Sequence, residues 1–141
     1  MDAEFNVFTD FYQFTDFDPT ADFEDLWEKW TDQTVKSMFV QGDRYVAVGT
    51  MRNFYAPVLI RLNSDRTFTG SVDKTAHGVL DLPSGLVKVS GSTDNGLSGG
   101  SMQVPPGTYC VEVAYLNLGS VAADGIEGND RYMITLTKIE A

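Results

Sequence analysis

Five phenylalanines occupy every third position of the segment FNVFTDFYQFTDF: Phe5, Phe8, Phe11, Phe14 and Phe17. No regular element gives that spacing a single buried face. On a helix each three-residue step slips about 60° backwards, so the rings wind most of the way round the cylinder. On a strand Phe5, Phe11 and Phe17 point one way while Phe8 and Phe14 point the other, which asks for apolar cover on both sides. The interleaved threonines and Tyr12 favour the strand. The acids within it, Asp10 and Asp16, then need water or a cationic partner.

The same part of the chain holds most of the charge. Residues 1 to 32 carry ten acids against one base, Lys29, giving −9, whereas residues 33 to 141 give only −1. Such a field repels nucleic acid and anionic membrane and attracts basic proteins or divalent cations. The stretch is also dense in Phe, Tyr and Trp, which solvating acidic tails lack. With 141 residues and 43% hydrophobic content the chain predicts one globular domain, residues 1–141, with the acidic aromatic segment 1–38 packed on it. No apolar run approaches the ~18 residues of a membrane span. Met1-Asp2-Ala3-Glu4 lacks the basic and then apolar regions of a secretory signal, which predicts a cytoplasmic protein.

One helical pattern stands out. In DPTADFEDLWEKWTDQTVKSMF, Phe23, Leu26, Trp27 and Trp30 share the i, i+3, i+4, i+7 spacing of one apolar face. Asp18-Pro19 or Thr20 offers an N-terminal start, and Thr31-Asp32 a restart carrying Val35 and Met38. One kinked helix or two short ones is expected between residues 20 and 38. Everything downstream reads as strands: 44–51, 56–63, 86–91, 108–118 and 131–140, with shorter ones around RTFTGSVD and HGVLDL. Roughly seven or eight strands in all, counting the opening segment, predict an antiparallel β-sandwich of two packed sheets. SGSTDNGLSGGS, residues 90–101, is read as a flexible loop.

Raw material for catalysis is thin. The chain has one histidine, His77, and one cysteine, Cys110. His77 lies in a loop or strand edge, and Cys110 falls in a strand pattern where a small buried hydrophobe is expected. There is no G-x-S-x-G elbow, phosphate-cradling glycine loop or paired-cysteine spacing, so no enzyme and no cofactor are expected. DGIEGND offers the oxygens of Asp124, Glu127 and Asp130, suited to calcium. Its spacing is not that of an EF-hand loop, and a turn is the plainer reading. Arg44, Arg52, Arg61 and Arg66 read as salt-bridge partners or edge charges, not a phosphate track.

FYQFTDF (11–17), KWTDQTVKSMF (29–39), MRNFYAPVLIRLNS (51–64) and VPPGTYCVEV (104–113) resemble the competence protein J family, the small nuclease-inhibitor proteins named ComJ. The similarity runs in the same order over most of the chain. It implies an inhibitor of a DNA-degrading nuclease that acts during competence and DNA uptake, or an immunity-type relative. The residues point the same way: a nuclease presents a basic groove to its polyanionic substrate, and carboxylates can stand in there for phosphates while aromatic rings supply anchor area. Asp16, Asp18, Asp22, Glu24, Asp25 and Glu28, with Trp27, are the expected partner-binding residues, and a basic nuclease is the expected partner. The alternative is a sandwich module that binds a ligand or calcium through the loops at 119–130 and 74–86.

Overall fold

A computed structural model describes residues 2–62, 72–91 and 99–139. It shows ten strands in two five-stranded sheets and two short helices. The first strand, β1 (Asp2–Phe8), and the second, β2 (Gln13–Phe17), belong to different sheets, and the turn Asp10–Tyr12 carries the chain across between them. Two short helices follow, α1 (Leu26–Lys29) and α2 (Asp32–Ser37), and then β3 (Phe39–Gly42), β4 (Tyr45–Gly49), β5 (Tyr55–Leu62), β6 (Lys74–Leu82), β7 (Leu86–Gly91), β8 (Gly100–Gln103), β9 (Gly107–Leu116) and β10 (Arg131–Lys138).

The first sheet has the order β1-β5-β10-β9-β6 and the second β3-β4-β2-β7-β8. All neighbours are antiparallel except β10 and β5, which run parallel with Ile134 opposite Ile60. The sandwich is thus mixed, not purely antiparallel, and has more strands than expected. Alternation along β9 and β10 sends Val111, Val113, Tyr115, Tyr132, Ile134 and Leu136 inward, where they meet Phe14, Val46, Val48 and Val87 of the second sheet. The sheets meet at both flanks. Gly99 N–H donates to the Asn6 carbonyl at 3.2 Å, and Val79 N–H, on the open edge of β6, donates to Gln41 Oε1 on β3 at 2.7 Å. Gly91 is required where β7 passes Phe8, because a Cβ there would overlap the Phe8 carbonyl oxygen.

The crossing resolves the phenylalanine spacing. Phe5 leans on the main core, and Phe8 turns outward onto Phe54 and Tyr55. Phe11 is exposed at the turn, Phe14 is fully buried between the sheets, and Phe17 lies on the outer face of β2 under Phe23. Phe23, Leu26 and Trp30 pack there with Tyr45 and Ala47 in a second cluster. The helices therefore cover the outer face of the second sheet, though α1 begins at Leu26, later than the sequence suggests. Part of the 90–101 stretch is strand: β8 starts at Gly100, and residues 92–98, like most of RTFTGSVD, lie outside the described residues. Cys110 is exposed instead of buried, since the alternation that buries Tyr109 and Val111 turns it outward. Among the described residues no helix is long and apolar enough to cross a membrane.

Candidate functional site

The acids expected at the partner surface divide into two groups. Asp16 has no exposed surface: it shares the inward face of β2 with Phe14, paired between Val46 and Val89. Neither of its carboxylate oxygens has a hydrogen-bond partner among the described residues, and burial pushes its pKa up to about 8. At neutral pH it is predominantly a neutral acid in an apolar core. Asp18 is also fully buried. Its Oδ1 accepts from Thr20 N–H at 2.8 Å, Thr20 Oγ1 at 2.6 Å and Ser84 Oγ at 3.0 Å, and its Oδ2 accepts from Ser84 N–H at 2.9 Å. Burial alone would raise its pKa, yet these four donors together lower it. Both side chains are inaccessible to a docked protein, which corrects the expectation for these two residues.

The others stand in solvent. Asp22, Glu24, Asp25, Glu28 and Trp27 are exposed in one stretch of seven residues, and Asp32 follows at the head of α2. Asp25 accepts from the fully buried Tyr45 hydroxyl at 2.8 Å and pairs with Lys29 at 3.5 Å. The Tyr45 bond first, then Lys29, hold its carboxyl below the ordinary range against the opposing push of burial. Asp22 Oδ1 accepts from Glu24 N–H at 2.9 Å and shapes the chain ahead of α1. Glu24, Glu28 and Asp32 form no ion pair among the described residues.

Beside this acidic stretch lies a groove of about 530 Å³ walled by Phe11, Tyr12, Trp27, Val35 and Met51. These side chains are between 46% and 61% exposed. The Phe11 and Trp27 rings meet edge to face with centroids 5.7 Å apart. On the floor, Trp30 Nε1 donates to Gln13 Oε1 at 2.9 Å. Val35 reaches the groove because α2 buries none of its residues and is held by a reciprocal Thr31–Thr34 capping box. On the other side of Trp27 is a second hollow of about 510 Å³, edged by Phe17, Phe23, Lys88 and Ser90. Trp27 is the ridge between the two.

The backbone at this groove is unusual. Phe11 and Tyr12 are consecutive left-handed residues, with φ of 55° and 57°, a conformation costing roughly 1–2 kcal/mol per residue outside glycine. Neither ring is buried in return. The turn is held by Thr50 N–H donating to the Tyr12 carbonyl at 2.8 Å and Thr9 N–H to that of Phe54 at 2.8 Å. Behind Met51, Arg52 Nε donates to Asp130 Oδ1 at 2.8 Å and a second guanidinium nitrogen reaches the same oxygen. Tyr132 Oη donates to Asp130 Oδ2 at 2.6 Å and accepts from Met51 N–H at 2.9 Å. A buried polar network thus sets the position of Met51.

That network also accounts for the loop considered for calcium. Asp130 is fully buried and bonded to Arg52, Asp124 Oδ1 accepts from Ile126 N–H at 2.9 Å in a local turn, and Glu127 is exposed. The three do not converge, and among the described residues no group of three or more potential ligands is gathered for a metal. His77 sits on exposed β6, 3.0 Å from Glu112. Sequence reasoning missed the groove walls Phe11, Tyr12, Val35 and Met51. The available signal was the adjacent pair Phe11-Tyr12, which no alternating strand can bury together.

No family model matches the chain, and no curated protein matches its sequence at a significant level. Two solved structures share its fold. One is ComJ from Bacillus subtilis, described as an inhibitor of the DNA degrading activity of NucA, with a TM-score of 0.72 at 20% identity, covering 99% of this chain and 96% of that one. The other is described as crocagin biosynthetic gene J, with a TM-score of 0.63 at 18% identity, covering 99% and 98%. The chain has a ComJ-like fold, as the sequence resemblance implied.

Proposed function

We propose that this chain is a non-catalytic, cytoplasmic inhibitor of a DNA-degrading nuclease, of competence or immunity type, which it engages through the exposed stretch from Asp22 to Asp32. The observation that carries this reading is the placement of five exposed acids and the Trp27 ridge in one run of chain, on a fold shared with an inhibitor of NucA. A nuclease surface shaped for phosphates attracts such a run. Carboxylates at the rim speed and orient encounter, and the aromatic ridge supplies desolvated contact. The alternative, a calcium- or ligand-binding sandwich, loses support because Asp130 is occupied by Arg52. The test is a titration of purified DNA-degrading nucleases, NucA among them, with this protein while DNA cleavage is followed. Stoichiometric inhibition of at least one, relieved by salt, is expected. Undiminished cleavage by all of them at saturating protein, including the nuclease from the same cell, would refute it.

A further inference from the structure

The groove beside Trp27 has a different character from the acidic stretch, and the backbone that carries its walls is held by the fold itself. Phe11 and Tyr12 are locked in left-handed conformation, Met51 is held through its N–H by Tyr132, and Val35 rides on a capped helix. Single exposed apolar side chains are ordinary on a protein surface, whereas five lining one preformed groove mark a contact site. Pre-set walls spare the ordering cost that a flexible surface incurs on binding. The charge beside the groove selects the occupant. The stretch that supplies the Trp27 wall carries the exposed acids Asp22, Glu24, Asp25, Glu28 and Asp32, and Asp32 lies one turn from Val35 on α2. Lys36 is the cation on the lining.

We propose that the groove formed by Phe11, Tyr12, Trp27, Val35 and Met51 is the anchor site for apolar side chains of Leu, Met or Phe size that project from a Lys/Arg-rich surface of a protein partner. This rests on the inhibitor reading for the partner's identity but makes a separate claim: the acids govern the rate of encounter, and the groove governs residence time.

The probe is a helical peptide with leucines at i, i+3, i+4 and i+7 and lysines elsewhere, titrated into the full chain while tryptophan emission is followed, since Trp27 forms a groove wall and Trp30 its floor. Saturable binding with a blue shift is expected. Met51→Asp or Val35→Asp should weaken it at least tenfold while leaving the circular dichroism spectrum and thermal midpoint unchanged, because both side chains are exposed. Replacing the leucines by serine should weaken it equally, and replacing the lysines by glutamate should abolish it. The inference is overturned if the peptide does not bind, if the serine peptide or the Asp variants bind as well as their parents, or if sedimentation shows a dimer that Met51→Asp dissolves, which would give the groove to a second copy. A nuclease inhibited equally by Met51→Asp and wild type removes the anchor role and leaves the inhibitor reading intact. Peptide binding with no nuclease inhibited does the reverse.

Discussion

Asp16 illustrates how far a residue's role departs from its type. An aspartate flanked by Thr and Phe in an acidic segment reads as surface, yet the alternation of β2 turns it inward with Phe14, paired between Val46 and Val89. Its folded pKa of about 8 lies above the unfolded value of 3.8. Between those values the native state binds a proton that the unfolded state releases, so this group's contribution is full below pH 4 and falls as pH rises towards 8, with a limiting slope of about 1.4 kcal/mol per pH unit. Asp18, with its pKa lowered, contributes in the opposite sense: its stabilisation is present above the unfolded pKa and is lost in acid. Urea denaturation at pH 5, 6.5 and 8 should therefore show declining stability for the wild type and a flatter profile for Asp16→Val. That variant should also be more stable at pH 8 by roughly 1–3 kcal/mol, having no carboxyl to bury. An unchanged pH profile would mean that Asp16 does not titrate as its surroundings dictate. The sequence placed Asp16 in a strand but not on a buried face, because burial of an acid is decided by strand phase and the phase was hidden by the turn at 9–12.

At the scale of elements, that turn did most to obscure the structure. A single strand through FNVFTDFYQFTDF keeps Phe5, Phe11 and Phe17 on one face. Two strands in different sheets, joined by a left-handed turn, give each ring its own environment. Strands with β-branched runs, such as TYCVEVAYL, were legible, and so was the packing of Phe23, Leu26 and Trp30, but Trp27, read on the same helical face, is exposed, and Phe23 and Trp30 lie outside α1. β8 was not, since Gly-Ser-Met-Gln holds one apolar residue and takes its structure from its neighbour β7. Asp18, read as a helix start and a partner-binding acid, could not be seen as buried because one of its two partner residues, Ser84, is 66 residues away. The loop from Thr50 to Tyr55 depends on Asp130 in the same long-range way. Arg52→Ala leaves that buried carboxylate without its cation and should destabilise the protein by about 3–5 kcal/mol in denaturant titration. Calcium or chelator should leave the thermal midpoint of the wild type unchanged, and a calcium-dependent rise would restore the loop as a metal site. Phe11→Gly relieves one strained residue, so its stability should stay within about 1 kcal/mol of wild type, while affinity for a partner falls.

Across the whole molecule, on the proposed reading, the sandwich is a support and the segment before β3 is the main part of the recognition surface. The lopsided charge was legible from the order of the residues alone, and most of it remains exposed in the fold. What composition could not show is that three of the acids, Asp10, Asp16 and Asp18, are withdrawn from solvent and that apolar residues from four separate parts of the chain assemble beside the rest. A surface of this kind gives association a steep salt dependence and dissociation a weak one. Glu24, Glu28 and Asp32 are the residues with which to examine it, since all three are exposed and among the described residues none of them is tied to a cation. The association rate of the inhibited nuclease with wild type and with the Glu24→Lys, Glu28→Lys, Asp32→Lys variant, followed across a salt series, is the most direct measurement. Association slowed at least tenfold at low salt with a flattened salt slope is the predicted result, and a variant that associates as fast as wild type at every salt concentration would contradict the account.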